Sequence, residues 1–324
     1  MPDIITIGES LIDFLSIEKG VLIEDSRGFT IAPGGAPANV AAAVAKLGGK
    51  SGFMGKVGKD SFGVMIRKTL QDSGVDVDHL LMDDTVNTTL AFISVKQDGE
   101  PDFLFYRNRC GADLAMRRDE IRYDYMTEAS ILHFGSINFT REPLRSATID
   151  AVEWARSRGI LISFDPNLRP SLWESMTLAK SEIQRGLGYA DIVKLTDVEL
   201  QFITGNNSLQ KGTMSILEYG PRMVLVTRGK DSCFFRNEEM FFEFPTFSVQ
   251  LVDSTGAGDS FMGGTLLRLF ERKRSEDAVF TLPRDEMEAI LRFATACGAL
   301  TVTRKGVIPA LPTMKEVETF LDKQ

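Results

Sequence analysis

Residues 159–167 read G-I-L-I-S-F-D-P-N, and residues 191–197 read D-I-V-K-L-T-D. Each is a short apolar run, rich in β-branched residues, that stops at a polar group. Between them, L-A-K-S-E-I-Q-R-G-L at 178–187 places apolar residues three and four apart, the spacing of one helix face. Strand, helix, strand is the repeating unit of a parallel sheet. Runs this uniformly apolar predict strands covered on both faces.

Three more runs have the same form: D-I-I-T-I-G-E-S at 3–10, A-S-I-L-H-F-G-S at 129–136 and M-V-L-V-T-R-G-K at 223–230. Helical spacing recurs at 40–47, 61–70 and 144–156. The expected fold class is therefore α/β, a Rossmann-type doubly wound sheet, with 1–324 as a single domain. In such folds ligands bind beyond the carboxyl ends of the strands. Asp165, Lys194 and Thr227 stand at those ends.

Two segments break the alternation, about 10–33 and about 88–110. The second holds T-T-L-A-F-I-S-V, then K-Q-D-G-E-P-D, then F-L-F-Y-R, which is a β-hairpin signal. Together they predict a small β-sheet lid inserted into the main domain.

The chain has 324 residues, a net charge of −8 and a pI near 5.1. That balance argues against a general nucleic-acid binder but not against an anionic substrate. Three dispersed cysteines and two histidines argue against a disulfide framework, a zinc site or a histidine triad. The N-terminus lacks the pattern of a signal peptide. No apolar run reaches the ~18 residues of a membrane span. The expected location is cytoplasmic, with reduced thiols and no membrane partner.

Three glycine-rich stretches compete for a ligand. P-G-G-A-P-A-N-V-A at 33–41 has Gly34 and Gly35 for close backbone approach, Pro37 in the first helical turn and Asn39 positioned to project an amide into a site. L-G-G-K-S at 47–51 resembles the end of a P-loop, but Val44 stands where the first glycine is needed, so it reads as a helix C-cap. D-S-T-G-A-G-D-S at 253–260 follows an expected strand, T-F-S-V-Q-L-V at 246–252, and precedes an apolar helix. Backbone N–H groups at a helix start favour an anion. Phe261 replaces the third glycine of a dinucleotide fingerprint. An acid beside an anion nest fits phosphoryl transfer: the N–H groups of Gly256, Ala257 and Gly258 stabilise the moving group, and Asp259 accepts the attacking hydroxyl's proton. Asp259 as a simple helix N-terminal acid, and Asp253 as either a cation ligand or a turn cap, stay open at this point.

The chain resembles the ribokinase-like (PfkB) family of sugar kinases along nearly its whole length, and within it the bacterial fructokinases. The segments carrying this are G-E-S-L-I-D-F at 8–14, P-G-G-A-P-A-N-V-A at 33–41, G-K-V-G-K-D-S-F-G at 55–63, F-L-F-Y-R-N at 103–108, H-F-G-S-I at 133–137, D-P-N-L-R at 165–169, D-S-T-G-A-G-D-S-F at 253–261 and the tail at 296–312. The resemblance implies ATP-dependent phosphorylation of a sugar hydroxymethyl group. Asp259 matches the catalytic base and Gly256, Ala257 and Gly258 the anion hole. Asp13, Gly34, Gly35 and Asn39 match positions holding sugar hydroxyls, with Arg107, Asn108 and Arg169 near the sugar. Lys194, Thr227 and Gly229 match the nucleotide side, and Thr295 stands where related chains place Asn near the adenine. Asp253 and Thr255 match a monovalent-cation site, with potassium as the ion, and magnesium accompanies ATP. The family's Asn-x-x-Glu motif reads T-D-V-E here, so Thr196 replaces Asn while Glu199 remains as the magnesium-linked acid.

The resemblance also implies a homodimer through the lid sheet, whose free edge needs a cover. Fructose is the favoured substrate. Two readings stand beside it. A 2-keto-3-deoxygluconate kinase would use Arg107 or Arg169 against the substrate carboxylate, and a sugar-binding regulator would have lost catalysis.

Overall fold

A computed structural model describes residues 1–97, 101–107, 111–273 and 277–324. In chain order the strands are β1 (Ile4–Ile7), β2 (Leu11–Lys19), β3 (Phe29–Gly34), β4 (Ser51–Gly58), β5 (Leu80–Asp83), β6 (Leu90–Val95), β7 (Pro101–Tyr106), β8 (Ile131–Gly135), β9 (Leu161–Asp165), β10 (Ile192–Thr196), β11 (Met223–Thr227), β12 (Ser232–Arg236) and β13 (Phe241–Pro245). The α-helices are α1 (Ala36–Lys46), α2 (Ser61–Asp72), α3 (Leu144–Arg156), α4 (Met176–Leu187), α5 (Asp197–Thr204), α6 (Leu209–Leu217), α7 (Ala257–Phe270), α8 (Arg284–Thr301) and α9 (Met314–Leu321).

The five strands anticipated from the apolar runs lie side by side. The large sheet runs β13-β12-β11-β10-β9-β8-β1-β4-β5, and every pair from β11 through β5 is parallel. Alternate residues explain why these strands are apolar throughout. Ile5, Leu132, Ile162 and Val193 join the core under α3 to α6, whereas Ile4, Ile131, Leu161 and Ile192 join the core under α1, α7 and α8.

Two features depart from expectation. The sheet is mixed, because β12 and β13 pair antiparallel at one edge. Asn237 makes that hairpin turn, its side-chain oxygen accepting from the N–H groups of Glu239 and Met240. The strand expected at 246–252 does not form. There Val252 N–H donates to Val302 carbonyl at 2.8 Å, so the segment is held by the end of α8 rather than by a sheet.

The second sheet is the lid, ordered β3-β2-β6-β7. The expected hairpin is present, with β6 antiparallel to β7. The segment at 10–33 supplies β2 and β3, joined through a short 3-10 turn at Ile23–Asp25. Gly48 lies just past α1 with φ +88°, and Gly49 N–H returns to Val44 carbonyl at 3.0 Å. The L-G-G-K-S stretch is thus a helix terminus, as its composition indicates. Among the described residues no helix is long and apolar enough to cross a membrane.

Helices α1 and α7 pack against each other on the face opposite α3 to α6. Glycine permits that approach: a Cβ on Gly263 would stand 2.6 Å from Ala43 Cβ and 3.2 Å from Val40 carbonyl oxygen. Because α1 and α7 carry Asn39 and Asp259, this packing also sets the site. Gly263→Val should force the helices apart and cost about 1–3 kcal/mol, read as a lowered melting temperature by circular dichroism.

Candidate active site

The N-termini of α1 and α7 meet beyond the carboxyl ends of the central strands. Gly35, with φ +109°, is the N-cap of α1, and Gly256, with φ +78°, is the N-cap of α7. Both backbone shapes favour glycine. Both positions are also too tight for a side chain, since a Cβ on Gly35 would lie 2.5 Å from Glu9 carbonyl oxygen and one on Gly256 2.5 Å from Val307 Cγ1.

Asn39 and Asp259 are the closing pair. Asn39 Nδ2 donates to Asp259 Oδ2 at 2.7 Å, joining residues 220 positions apart in the chain. Asn39 Oδ1 is buried and has no partner among the described residues. Burial pushes the Asp259 carboxyl up to about 6, although the Asn39 bond and the Lys194 charge pull it down. A carboxyl near that value is suited to take a proton at neutral pH.

Lys194 extends from β10 and is buried, with Nζ 2.9 Å from Asp165 Oδ2 on neighbouring β9. Burial alone would lower its pKa. Asp165, Glu199 and Asp259 outweigh that and raise it, so it stays a cation. A Cβ on Gly258 would come within 2.7 Å of Lys194 Nζ, which puts this charge beside the first turn of α7. Ala257 N–H reaches Ser254 carbonyl only at 3.4 Å, a long bond, so the turn is less free of partners than its sequence suggests.

Asp13 lies on β2 of the lid, opposite Ala32 on β3. Burial pushes its carboxyl up to about 7; Arg169 opposes the shift, while Asp259 and Asp253 add to it. Gly34 faces this carboxyl, and a Cβ there would run into Asp13 Oδ2. The Arg169 guanidinium meets the carbonyls of Asn167 and Leu168 at 3.5 and 3.3 Å and faces the Phe103 ring of the lid at 6.0 Å. Among the described residues its charge acts on Asp13 and Asp259 rather than closing a salt bridge. Arg107, at the foot of the hairpin, is buried and ion-paired with Asp113, its Nε donating at 3.1 Å. Asn108 lies outside the described residues.

The cation candidates are held by the backbone. Asp253 Oδ1 accepts from Thr255 N–H at 3.0 Å and Thr255 Oγ1 at 2.7 Å, and Oδ2 accepts from Gly306 N–H at 3.2 Å. These bonds are those of a turn cap, one of the two readings open for Asp253. Glu199 Oε2 accepts from Thr196 N–H and Oγ1, and Thr196 Oγ1 accepts from Glu199 N–H, forming a capping box. Glu199 Oε1 accepts from Leu168 N–H at 2.7 Å. Thr196 therefore does not interrupt a metal site so much as start α5. Among the described residues no cluster of three His, Cys, Asp or Glu could hold a metal.

On the nucleotide side, Thr227 ends β11 in register with Thr196, and Gly229 follows with φ +53°. The Thr295 hydroxyl returns to its own helix, donating to Leu291 carbonyl at 2.8 Å.

Sequence reasoning missed two residues that shape the site. Glu9 and Ser10 link β1 to β2 and bind the Gly34–Ala36 turn, through Ala36 N–H to Glu9 Oε1 at 3.1 Å and Ser10 Oγ to Gly34 carbonyl at 3.0 Å. The only signal was that a polar pair ends the first apolar run.

A lysine beside a helix N-terminus, a half-buried carboxylate raised toward neutrality and a second acid on a lid describe a site for moving a phosphoryl group onto a hydroxyl. Comparison with known proteins agrees. Residues 1–314 match the family described as pfkB family carbohydrate kinase, and the chain belongs to that family. It is 43% identical over 322 residues to probable fructokinase-2 of Arabidopsis thaliana, covering 99% of this chain and 96% of that one. It is 41% identical to fructokinase-1 of Zea mays, covering 99% and 98%. Among solved structures, fructokinase with bound ATP from Xylella fastidiosa is 34% identical with a TM-score of 0.91, covering 100% and 99%. Fructokinase from Vibrio cholerae O395, bound to fructose, ADP and calcium, is 32% identical with a TM-score of 0.86, covering 98% and 99%.

The raised carboxyls have a consequence for stability. Asp13 and Asp259 titrate higher in the folded chain than in an unfolded one. Between about pH 4 and 7 the folded state thus retains protons that the unfolded state has released, and stability falls as pH rises through that window. Asp13→Asn should stabilise the ligand-free protein at pH 8 by on the order of 1–3 kcal/mol. The gain should vanish toward pH 4, as read from urea midpoints.

Proposed function

We propose that this kinase transfers the γ-phosphoryl group of ATP to the 6-hydroxyl of fructose. The observation that carries the mechanism is the half-buried Asp259 carboxylate, held by Asn39 at the start of α7. Asp259 accepts the O6 proton as O6 attacks the γ-phosphorus in line, and the bond to the β-phosphate oxygen breaks to release ADP. The N–H groups of Gly256, Ala257 and Gly258 stabilise charge on the group in transit, with Lys194 beside them. Asp13, Gly34, Gly35 and Asn39 hold the sugar hydroxyls. Arg107 supports the lid over the sugar through Asp113, and Arg169 offsets the paired acids Asp13 and Asp259. Thr227 and Gly229 line the nucleotide side, and the buried Thr295 shapes it without a free hydroxyl.

Magnesium would enter with ATP and neutralise its polyphosphate. It takes few protein ligands and keeps much of its water, which fits a site where, among the described residues, no three acids converge on one metal position. Glu199 then acts by fixing α5 and the Leu168 turn, with water between it and any metal. Potassium rests on less. A fructokinase double mutant from Vibrio cholerae O395 was solved with fructose, ADP and potassium ion, but in this chain Asp253 already caps its turn and Thr255 is bonded to it. A cation here would order the loop before the anion hole.

Fructose is preferred to 2-keto-3-deoxygluconate because Arg107 is neutralised by Asp113, which leaves Arg169 as the one cation of that pair for a carboxylate. The relatives at 43% and 41% identity are named fructokinases. A silent regulator is disfavoured because Asp259 is present and keeps its Asn39 partner. The reaction is placed in the cytoplasm, where ATP is supplied.

A homodimer through the lid's outer face follows from its surface. Phe14, Phe29, Phe92 and Tyr106 pack ring against ring there, yet Ile31 and Tyr106 remain 47% and 62% exposed. Such an apolar sheet face is suited to a second copy.

Three outcomes are expected. Asp259→Asn should retain ATP binding by calorimetry and lose about a thousandfold or more in kcat; near-normal turnover would remove the base from this account. In a sugar panel, kcat/KM for fructose should exceed that for 2-keto-3-deoxygluconate, and the opposite order would make the acid the substrate. Light scattering should give a dimer for the native chain and a monomer for Ile31→Asp with Tyr106→Asp.

A further inference from the structure

Glu9 is a buried acid to which the proposed reaction gives no task. It sits in the three-residue link between β1 of the main sheet and β2 of the lid. The chain passes back from lid to core at Gly34–Gly35, between β3 and α1. The two crossings are fastened to each other. Glu9 Oε1 accepts from Ala36 N–H at 3.1 Å, Ser10 Oγ donates to Gly34 carbonyl at 3.0 Å, and Gly35 must be glycine because Glu9 carbonyl oxygen would lie 2.5 Å from a Cβ. The Arg107–Asp113 pair at the other foot of the lid acts electrostatically on the same carboxyl. Glu9 Oε2 is buried with no partner among the described residues; besides its own backbone N–H, the carboxyl takes a backbone N–H from Ala36, its contact with the turn.

We propose that Glu9 is a positioning residue: by holding Ala36 N–H it fixes the Gly34–Ala36 turn at the lid hinge, and so sets where Asn39 meets Asp259. The path is short. Ala36 is the first residue of α1, and Asn39 N–H donates to Gly35 carbonyl at 2.9 Å as the first helical bond. Asn39 Nδ2 then reaches Asp259 Oδ2 at 2.7 Å. An N–H at a helix start has no partner within its own helix. A carboxyl oxygen fixed in the fold there pins the first turn more firmly than exchanging water does. Loss of that acceptor would loosen the turn that offers backbone to the sugar while leaving the nucleotide side in place. The inference rests on the reading of Asp259 and the glycine turn as sugar-phosphorylating groups.

The test has two readouts, so that the clamp and that reading can fail separately. Amide hydrogen exchange at Ala36, followed without substrate, reports the clamp alone. Glu9→Ala should speed that exchange while the central strands keep their protection. Its KM for fructose should rise about tenfold with KM for ATP within about twofold. Glu9→Gln keeps an oxygen acceptor and should restore both readouts. If Glu9→Ala does not fold, Glu9→Gln and Ser10→Ala carry the test. The glutamine variant should resemble wild type, and Ser10→Ala should raise the fructose KM alone. Unchanged Ala36 exchange in Glu9→Ala, equal effects on both KM values, or failure of glutamine to rescue would overturn the proposal. A wild-type protein inactive on every sugar, yet showing the exchange effect, would retain the clamp and reject the kinase reading.

Discussion

The 2.7 Å bond from Asn39 to Asp259 is the contact on which the site depends. It joins the first turn of α1 to the first turn of α7, and neither turn can be moved alone. Behind α1 stands the lid hinge at Glu9, Ser10, Gly34 and Gly35. Behind α7 stand the capped turn at Asp253 and the ion pair of Lys194 with Asp165. The bond also sets a chemical condition. Burial raises the Asp259 carboxyl, and a donor on one of its oxygens favours the ionised form that can accept a proton.

The acids of the site are arranged against one another. Asp259 on α7 raises the cost of ionising Asp13 on the lid, Asp165 does the same to Asp259, and Arg169 opposes both shifts. A sugar offering hydroxyl donors to Asp13 would favour its ionised form.

The fold was legible where burial is two-sided. The runs at β1, β8, β9, β10 and β11 are apolar on both alternating sets, and no polar face was needed to find them. Strand β4, S-G-F-M-G-K-V-G, is equally buried, but its glycines read as turn signals. The hairpin β12–β13, at one end of the sheet, lacked the alternating helices that announced the parallel order. The run at 246–252 misled because valine and phenylalanine suit a strand, whereas the end of α8 supplies its backbone partner. Within the site, Asp259 and Asn39 were legible because helix starts are marked by glycine and proline. The roles of Glu199, Lys194 and Glu9 were not. Their partners are supplied by register or by turns 27 to 31 residues away in the chain, and no local pattern encodes that.

The most direct test is the titration of the Asp259 carboxyl itself. Carbon-13 NMR of side-chain-labelled aspartate, with the Asp259 resonance assigned by its loss in Asp259→Asn, would follow it in the ligand-free protein. The account predicts a midpoint near 6, moving upward in Asn39→Ala as the donor is lost. A midpoint in the ordinary carboxylate range, or one that does not move when Asn39 is removed, would contradict it.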